Sequence, residues 1–279
     1  MTIEELSRIA TQVRRDIIRM TNGAKSGHPG GSLGCADLLT CLYFKIMKHN
    51  PDFSMEGKNE DVFFLSNGHI SPVWYSVLAR SGYFPVRELA TFRKINSRLQ
   101  GHPATMEHLP GIRVASGSLG QGLSVATGYA LGKKITGDSR TVFCLCGDGE
   151  MNEGQVWEAA LFAAHQKADN LIAFIDRNYL QIDGNTEDVM ALGNLGDKWK
   201  AFGWEVLETD GNDIAQLLNT IEEALSLKGK GKPVIAVMKT VMGKGVDFME
   251  NNHHWHGNAP SDEQLAKGLA QLTETLGDY

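Results

Sequence analysis

Five short apolar runs constrain the fold of this chain more than any other feature. Residues 61–65 (DVFFL) stop at Ser66-Asn-Gly-His69. Residues 141–146 stop at Gly147-Asp-Gly149, and residues 171–175 stop at Asp176-Arg-Asn178. Residues 204–207 and 233–238 are two further runs. A strand with one wet face alternates apolar and polar residues; these runs scarcely alternate, so they read as strands covered on both faces. A helical pattern precedes the first run, over 35–48, and others lie between the runs, through Trp74 to Ser81 and over 153–167 and 213–227. Residues 3–21 carry Ile3, Leu6, Ile9, Ala10, Val13, Ile17 and Ile18 on one helical face. The alternation predicts an α/β fold of three αβα layers around a mostly parallel sheet, in one domain over residues 1–279. After Pro260, SDEQLAKGLAQLTETLG reads as a terminal helix capped by Ser261 or Asp262.

Composition removes several function classes. The formal charge is −6 and the pI near 5.9, so no basic surplus exists to neutralise nucleic-acid phosphates. At 42% hydrophobic residues the chain can form a packed core rather than remain disordered. No apolar stretch approaches the ~20 residues of a membrane span. The first residues include Glu4 and Glu5 and lack the apolar centre of a secretory signal. Cys35, Cys41, Cys144 and Cys146 have no metal-knuckle spacing and read as buried thiols of a cytoplasmic protein. The Lys-Gly alternation of residues 228–232 reads as a solvated turn.

In parallel sheets chemistry collects at the carboxyl ends of strands. Asp148 and Asn178 stand at two such ends, 30 positions apart, about what a strand–helix–strand crossover consumes. One carboxylate and one amide oxygen on neighbouring strands make an oxygen-only set that suits Mg²⁺ completed by phosphate and water. Gly147 and Gly149 would let a phosphate approach the backbone, and a helix starting near Glu153 would offer its amides. The competing reading is two ordinary polar turns. Four of the nine histidines, His28, His69, His102 and His256, adjoin a glycine. Such flanks place an imidazole on a tight loop, where it suits proton transfer and hydrogen bonding to hydroxyls. Each taken singly also reads as a surface-turn residue. His253-His254-Trp255-His256 admits a transition-metal clip as well. The small residues of Gly120–Gly132 suit close helix packing, or a helix passing beside a ligand or a symmetry mate.

The stretch GDGEMNEGQVWEAALFAAHQKADNLIAFIDRN resembles the thiamine-diphosphate motif, and KSGHPGGSLG, FLSNGH, LQGHP, ASGSLGQGLSVATGYALG, KTVMGKG and HHWHGNAP follow in the order of one family. Over nearly its whole length the chain is similar to the N-terminal, diphosphate-binding half of transketolase. The resemblance implies a thiamine-diphosphate-binding fold. It implies that Asp148, Asn178 and the carbonyl of Leu180 hold Mg²⁺, with Ca²⁺ or Mn²⁺ as substitutes. Gly147, Gly149, Asn178, His69, His256, the Gly117-Ser118-Leu119 backbone and Glu153, a subunit-interface glutamate, would meet the cofactor. His28, His102 and His256 would act on the substrate. The implied reaction moves a two-carbon ketol unit from a ketose phosphate to an aldose phosphate. The family's pyrimidine-binding domain would begin where this chain stops. That predicts a split enzyme, active with a separate C-terminal subunit in an α2β2 heterotetramer. The alternatives are another thiamine-diphosphate subunit, either of a transketolase-like enzyme for an unusual sugar phosphate or a 2-oxo-acid dehydrogenase E1 α chain, and a degenerate diphosphate-binding regulatory module.

Overall fold

The structure, a computed structural model, describes residues 1–279. Its main sheet contains β1 (Val62–Leu65), β2 (Val142–Gly147), β3 (Leu171–Arg177), β6 (Glu205–Asp210) and β7 (Val234–Lys239). Their order is β1-β2-β3-β7-β6, and every pairing is parallel. Register sets the tips level: Leu65 lies beside Leu145, Gly147 beside Asp176, and Arg177 beside Lys239. A two-stranded antiparallel hairpin, β4 (Leu180–Gln181) and β5 (Gly184–Asn185), follows β3 directly.

Helices cover both faces, as the non-alternating runs require. Phe63, Leu65, Phe143, Leu145, Ile172 and Phe174 point into one apolar layer. It packs against α1 (Ile3–Ala24), α2 (Pro29–Gly34), α3 (Ala36–Cys41), α4 (Ser71–Arg80) and α9 (Ile214–Leu227). Val62, Phe64, Val142, Cys144, Leu171 and Ala173 point into the other, beneath α5 (Gly122–Ile135), α6 (Gly154–His165) and α8 (Leu195–Ala201). Each large apolar side chain among them contributes about 1.5–3 kcal/mol on burial.

The sequence reading and the structure differ in places. The helix expected over 35–48 is α3 followed by a π-turn, Leu42–Ile46. The short α7 (Thr186–Met190), α8 and the β4–β5 hairpin had no periodic signal. The terminal helix is α10 (Asp262–Gln271), and Ser261 caps it within a capping box closed by Gln264. No helix is long and apolar enough to cross a membrane.

Candidate active site

The tips of β1, β2 and β3 open onto one cavity of about 340 Å³. β2 ends at Gly147, and Asp148 begins a 3-10 turn over Gly149–Asn152. This turn separates Asp148 from α6, so the amides nearest the glycines belong to the turn and not to the helix expected near Glu153. Asp148 is 2% exposed. Its Oδ1 accepts from Gly149 N (2.8 Å); its Oδ2 accepts from Tyr179 N (2.7 Å) and from Arg177 Nη1 (3.3 Å). Burial pushes its carboxyl up to about 7, and the nearby Asp176 carboxylate pushes the same way. Asn178 follows β3. Its Oδ1 accepts from Leu180 N (2.9 Å), and its Nδ2 donates to Asp176 Oδ2 (2.9 Å). Asp148, Asn178 and Leu180 thus all line the cavity.

The histidines converge from separate segments. His28 precedes α2, His69 lies in the 3-10 turn Gly68–Ile70 after β1, and His256 ends the 3-10 turn His253–His256. Ring centroids lie 5.1 Å apart for His28–His69, 5.0 Å for His69–His256 and 5.7 Å for His28–His256. His102 stands 6.1 Å from His28 and is more exposed. Burial lowers the pKa of all four, that of His28 to about 4, with His256, Arg93 and His102 adding to the effect. At neutral pH they are uncharged, and each imidazole then offers one donor and one acceptor.

Glycine fits these segments together at two positions. Gly117 has φ 130°, and a Cβ there would come within 2.7 Å of the His102 ring. A Cβ on Gly68 would meet the backbone of Ser116 and Gly117 at 2.6–2.7 Å, so the 116–117 loop seats directly on the β1 tip. Leu119, Gly147, Gly149 and Glu153 also line the cavity. Ser118 does not line it; its hydroxyl accepts from Gln121 Nε2 (2.8 Å). His253 and His254 are exposed, and no three His, Cys, Asp or Glu side chains form a metal-holding group, so the transition-metal clip finds no support.

A family model described as transketolase, thiamine diphosphate binding domain, matches residues 6–277. The chain belongs to this transketolase N-terminal family. It is 38% identical over 275 residues to an apulose-4-phosphate transketolase subunit from Actinobacillus succinogenes, covering 98% of each chain. It is likewise 38% identical to a 6-deoxy-6-sulfo-D-fructose transketolase subunit from a Clostridium species, covering 96% of this chain and of that one. Among solved structures it resembles transketolase from Campylobacter jejuni with a TM-score of 0.90 and 34% identity. That match covers 98% of this chain and 43% of the longer one.

Two buried carboxylates escaped the sequence reading. Glu150 is 2% exposed; its Oε1 accepts from Gly120 N (2.7 Å) and Ser66 Oγ, and its Oε2 from Gly147 N (3.0 Å). It fastens β1, β2 and the approach to α5 to one another. Asp176 is equally buried and accepts from Thr240 Oγ1 as well as Asn178 Nδ2. It fixes which face of the Asn178 amide is oxygen. The sequence singles out neither; only tertiary burial distinguishes them.

A thiamine diphosphate with a divalent cation fits these residues. His28 Nδ1, Asn67 Oδ1 and Gln181 Nε2 belong to residues that line the cavity, are buried, and have no hydrogen-bond partner. A Cβ at Gly147 or Gly149 would meet protein atoms no closer than 3.7 and 3.4 Å. A Cβ there would meet only the cavity-lining Asn67, Glu150 and Gln181, at ordinary contact distance. Two side-chain oxygens and a carbonyl are too few to cage an ion, which suits Mg²⁺ that takes its remaining oxygens from a diphosphate.

Proposed function

We propose that this chain is the diphosphate-binding subunit of a thiamine-diphosphate-dependent transketolase, transferring a two-carbon ketol unit between sugar phosphates together with a separate chain. The convergence of Asp148, Asn178 and Leu180 with three neutral histidines in one cavity carries the reading. The proposed cation is Mg²⁺, held by Asp148 Oδ, Asn178 Oδ1 and the Leu180 carbonyl. Asp176 holds the Asn178 amide in the required orientation, and Gly147 and Gly149 leave the diphosphate its space. Gly117 and Leu119 would close the cavity over the cofactor, with Ser118 behind them and Glu153 at its rim.

When bound, the cofactor supplies the nucleophilic carbon and stores the two-carbon unit. His28, His102 and His256 would provide the proton chemistry, with His69 against the cofactor. An uncharged imidazole accepts the proton of a sugar hydroxyl as the adjacent carbon–carbon bond breaks, and returns it in the reverse sense when the acceptor adds. His28 and His256 line the cavity and would face the reacting carbons; the exposed His102 would reach the more distant hydroxyls.

The relatives that this chain matches end to end are themselves named as transketolase subunits, which supports residues 1–279 acting as one pyrophosphate-binding domain. The partner would supply the pyrimidine-binding domain, and the assembly would be α2β2. Four free, buried cysteines suit the cytoplasm.

The deciding experiment mixes the purified chain with its partner chain, Mg²⁺ and thiamine diphosphate. Ketol transfer between sugar phosphates by the pair, and none by this chain alone, is the expected result. Robust transfer by this polypeptide alone would refute the split arrangement. Turnover of pyruvate in place of sugars would move the chain to the 2-oxo-acid dehydrogenases.

A further inference from the structure

Arg177 is the last residue of β3, between Asp176 and Asn178. Successive side chains on a strand leave opposite faces. Arg177 accordingly lines a separate cavity of about 520 Å³, not the one lined by Asp176 and Asn178. It is 4% exposed and uses both arms of its guanidinium. Nη1 donates to Asp148 Oδ2 (3.3 Å) and Thr186 Oγ1 (2.9 Å); Nη2 donates to Glu187 Oε1 (2.7 Å). Its Cζ lies 3.9 Å from the centroid of the Tyr179 ring. Tyr179 has φ 64°, and its carbonyl accepts from Thr186 N (2.9 Å).

These contacts join Asp148 to a segment that does not itself reach the cofactor cavity: none of residues 186–193 lines it. Glu187 gathers that segment. Its Oε1 also accepts from Leu192 N (3.2 Å), and its Oε2 from Gly193 N (3.1 Å). Asp148 otherwise receives only backbone donors, Gly149 N and Tyr179 N. Arg177 is therefore the one side chain that sets the direction of this carboxylate, and Thr186 and Glu187 set the direction of Arg177. A lone cation beside a cation site would repel the ion; here the ion pair with Glu187 offsets its charge. A guanidinium can serve two carboxylates from one rigid plane, whereas an ammonium is a point charge without that fork. A buried ion pair is weak evidence for a gain in stability, so stability alone accounts poorly for this one.

We propose that Arg177 is a positioning residue for the divalent-cation site: it fixes the Asp148 carboxylate for the ion and couples occupancy of the site to the order of residues 186–193. The proposal rests on the function set out above. Its test titrates thiamine diphosphate and Mg²⁺ into the complex with the partner chain. Wild type is compared with Arg177→Met, Arg177→Lys and Glu187→Gln. Calorimetry reads cofactor affinity, and amide deuterium uptake is read with and without saturating ligand.

Arg177→Met is expected to weaken Mg²⁺-dependent cofactor affinity about tenfold or more, the usual effect of losing a group that orients a metal ligand. Arg177→Lys should recover little of it. Glu187→Gln removes the outer ion pair and leaves Asp148 itself intact. It should weaken affinity less, and should add nothing to Arg177→Met in the double variant. Ligand should slow deuterium uptake at residues 186–193 in the wild type and not in Arg177→Met. Unchanged or tighter affinity in Arg177→Met would overturn the proposal, even with a lowered thermal midpoint, which is all that a purely structural ion pair would show. Full recovery by Arg177→Lys would overturn it too, as would equal slowing of uptake in wild type and Arg177→Met. Should Arg177→Met not fold, Glu187→Gln decides: unchanged affinity and unchanged protection of 186–193 reject the proposal. No Mg²⁺-dependent cofactor binding by the wild-type complex would instead sink the proposed function.

Discussion

Asp148 accepts hydrogen bonds from its own turn and from the residue after Asn178, so one carboxylate joins the ends of two strands before any ion arrives. An alanine there would remove the proposed cation ligand and the tie between the tips together. Asp148→Ala is expected to lower Mg²⁺-dependent thiamine diphosphate affinity by about 100-fold or more; unchanged affinity by calorimetry would rule out the proposed ion site. The histidines make a prediction of their own through pH. His28 falls from an ordinary value of 6.5 to about 4 on folding. Between those values the unfolded chain binds a proton that the folded chain refuses, so stability drops as pH falls through this window and is unaffected above it. His28→Gln removes this dependence. The stability difference between wild type and variant should change by on the order of 2–3 kcal/mol from pH 7 to pH 4. Urea unfolding at a series of pH values measures it, and parallel curves would contradict it.

Elements differ in how openly the sequence announces them. The strands β1, β2, β3 and β7 were legible because burial on both faces leaves an uninterrupted apolar run. With them came the strand tips, hence Asp148 and Asn178. β6 was legible only as far as Leu207. It is an edge strand, and its last residues, Glu208, Thr209 and Asp210, pair with β7 while partly exposed. The change from α3 to a π-turn was hidden, since both place apolar residues inward. Glu150 and Asp176 were hidden for a different reason: a carboxylate beside the Gly or Asn at a strand's end looks solvated until other segments fold over it. The capping box of α10 was half visible, the cap being read as Ser261 or Asp262 and Gln264 unnoticed. Ser261→Ala should destabilise the protein by about 1 kcal/mol, read as a shift in urea midpoint with an unchanged slope.

The two ends of the chain meet on α1. Asp278 accepts from Arg15 Nε (2.9 Å), Arg15 Nη2 (2.6 Å) and Gln12 Nε2 (2.8 Å), and these contacts hold its carboxyl down to about 2. Gln12 and Arg15 are buried, although in sequence they occupy the polar side of an amphipathic helix. The residues that follow α10 therefore seal a face of α1 that would otherwise stay wet. Asp278→Asn is expected to lower the thermal midpoint by about 2–4 °C without changing cofactor affinity, since the contact lies away from the strand tips; calorimetric scanning and titration separate the two effects.

At the sheet's working edge Asp148, Glu150 and Asp176 are each only 2% exposed. Arg177 is the sole cation paired with any of them, and it is shared with Glu187. Burial of all three, and the Asp176 carboxylate beside Asp148, disfavour negative charge at that edge. Regions of this kind open locally while the rest of a domain stays closed. Amide deuterium uptake should accordingly run faster at residues 147–152 and 178–182 than in mid-strand, and slow when Mg²⁺ and thiamine diphosphate are added. Ligand capture would then double as the final consolidation of the fold.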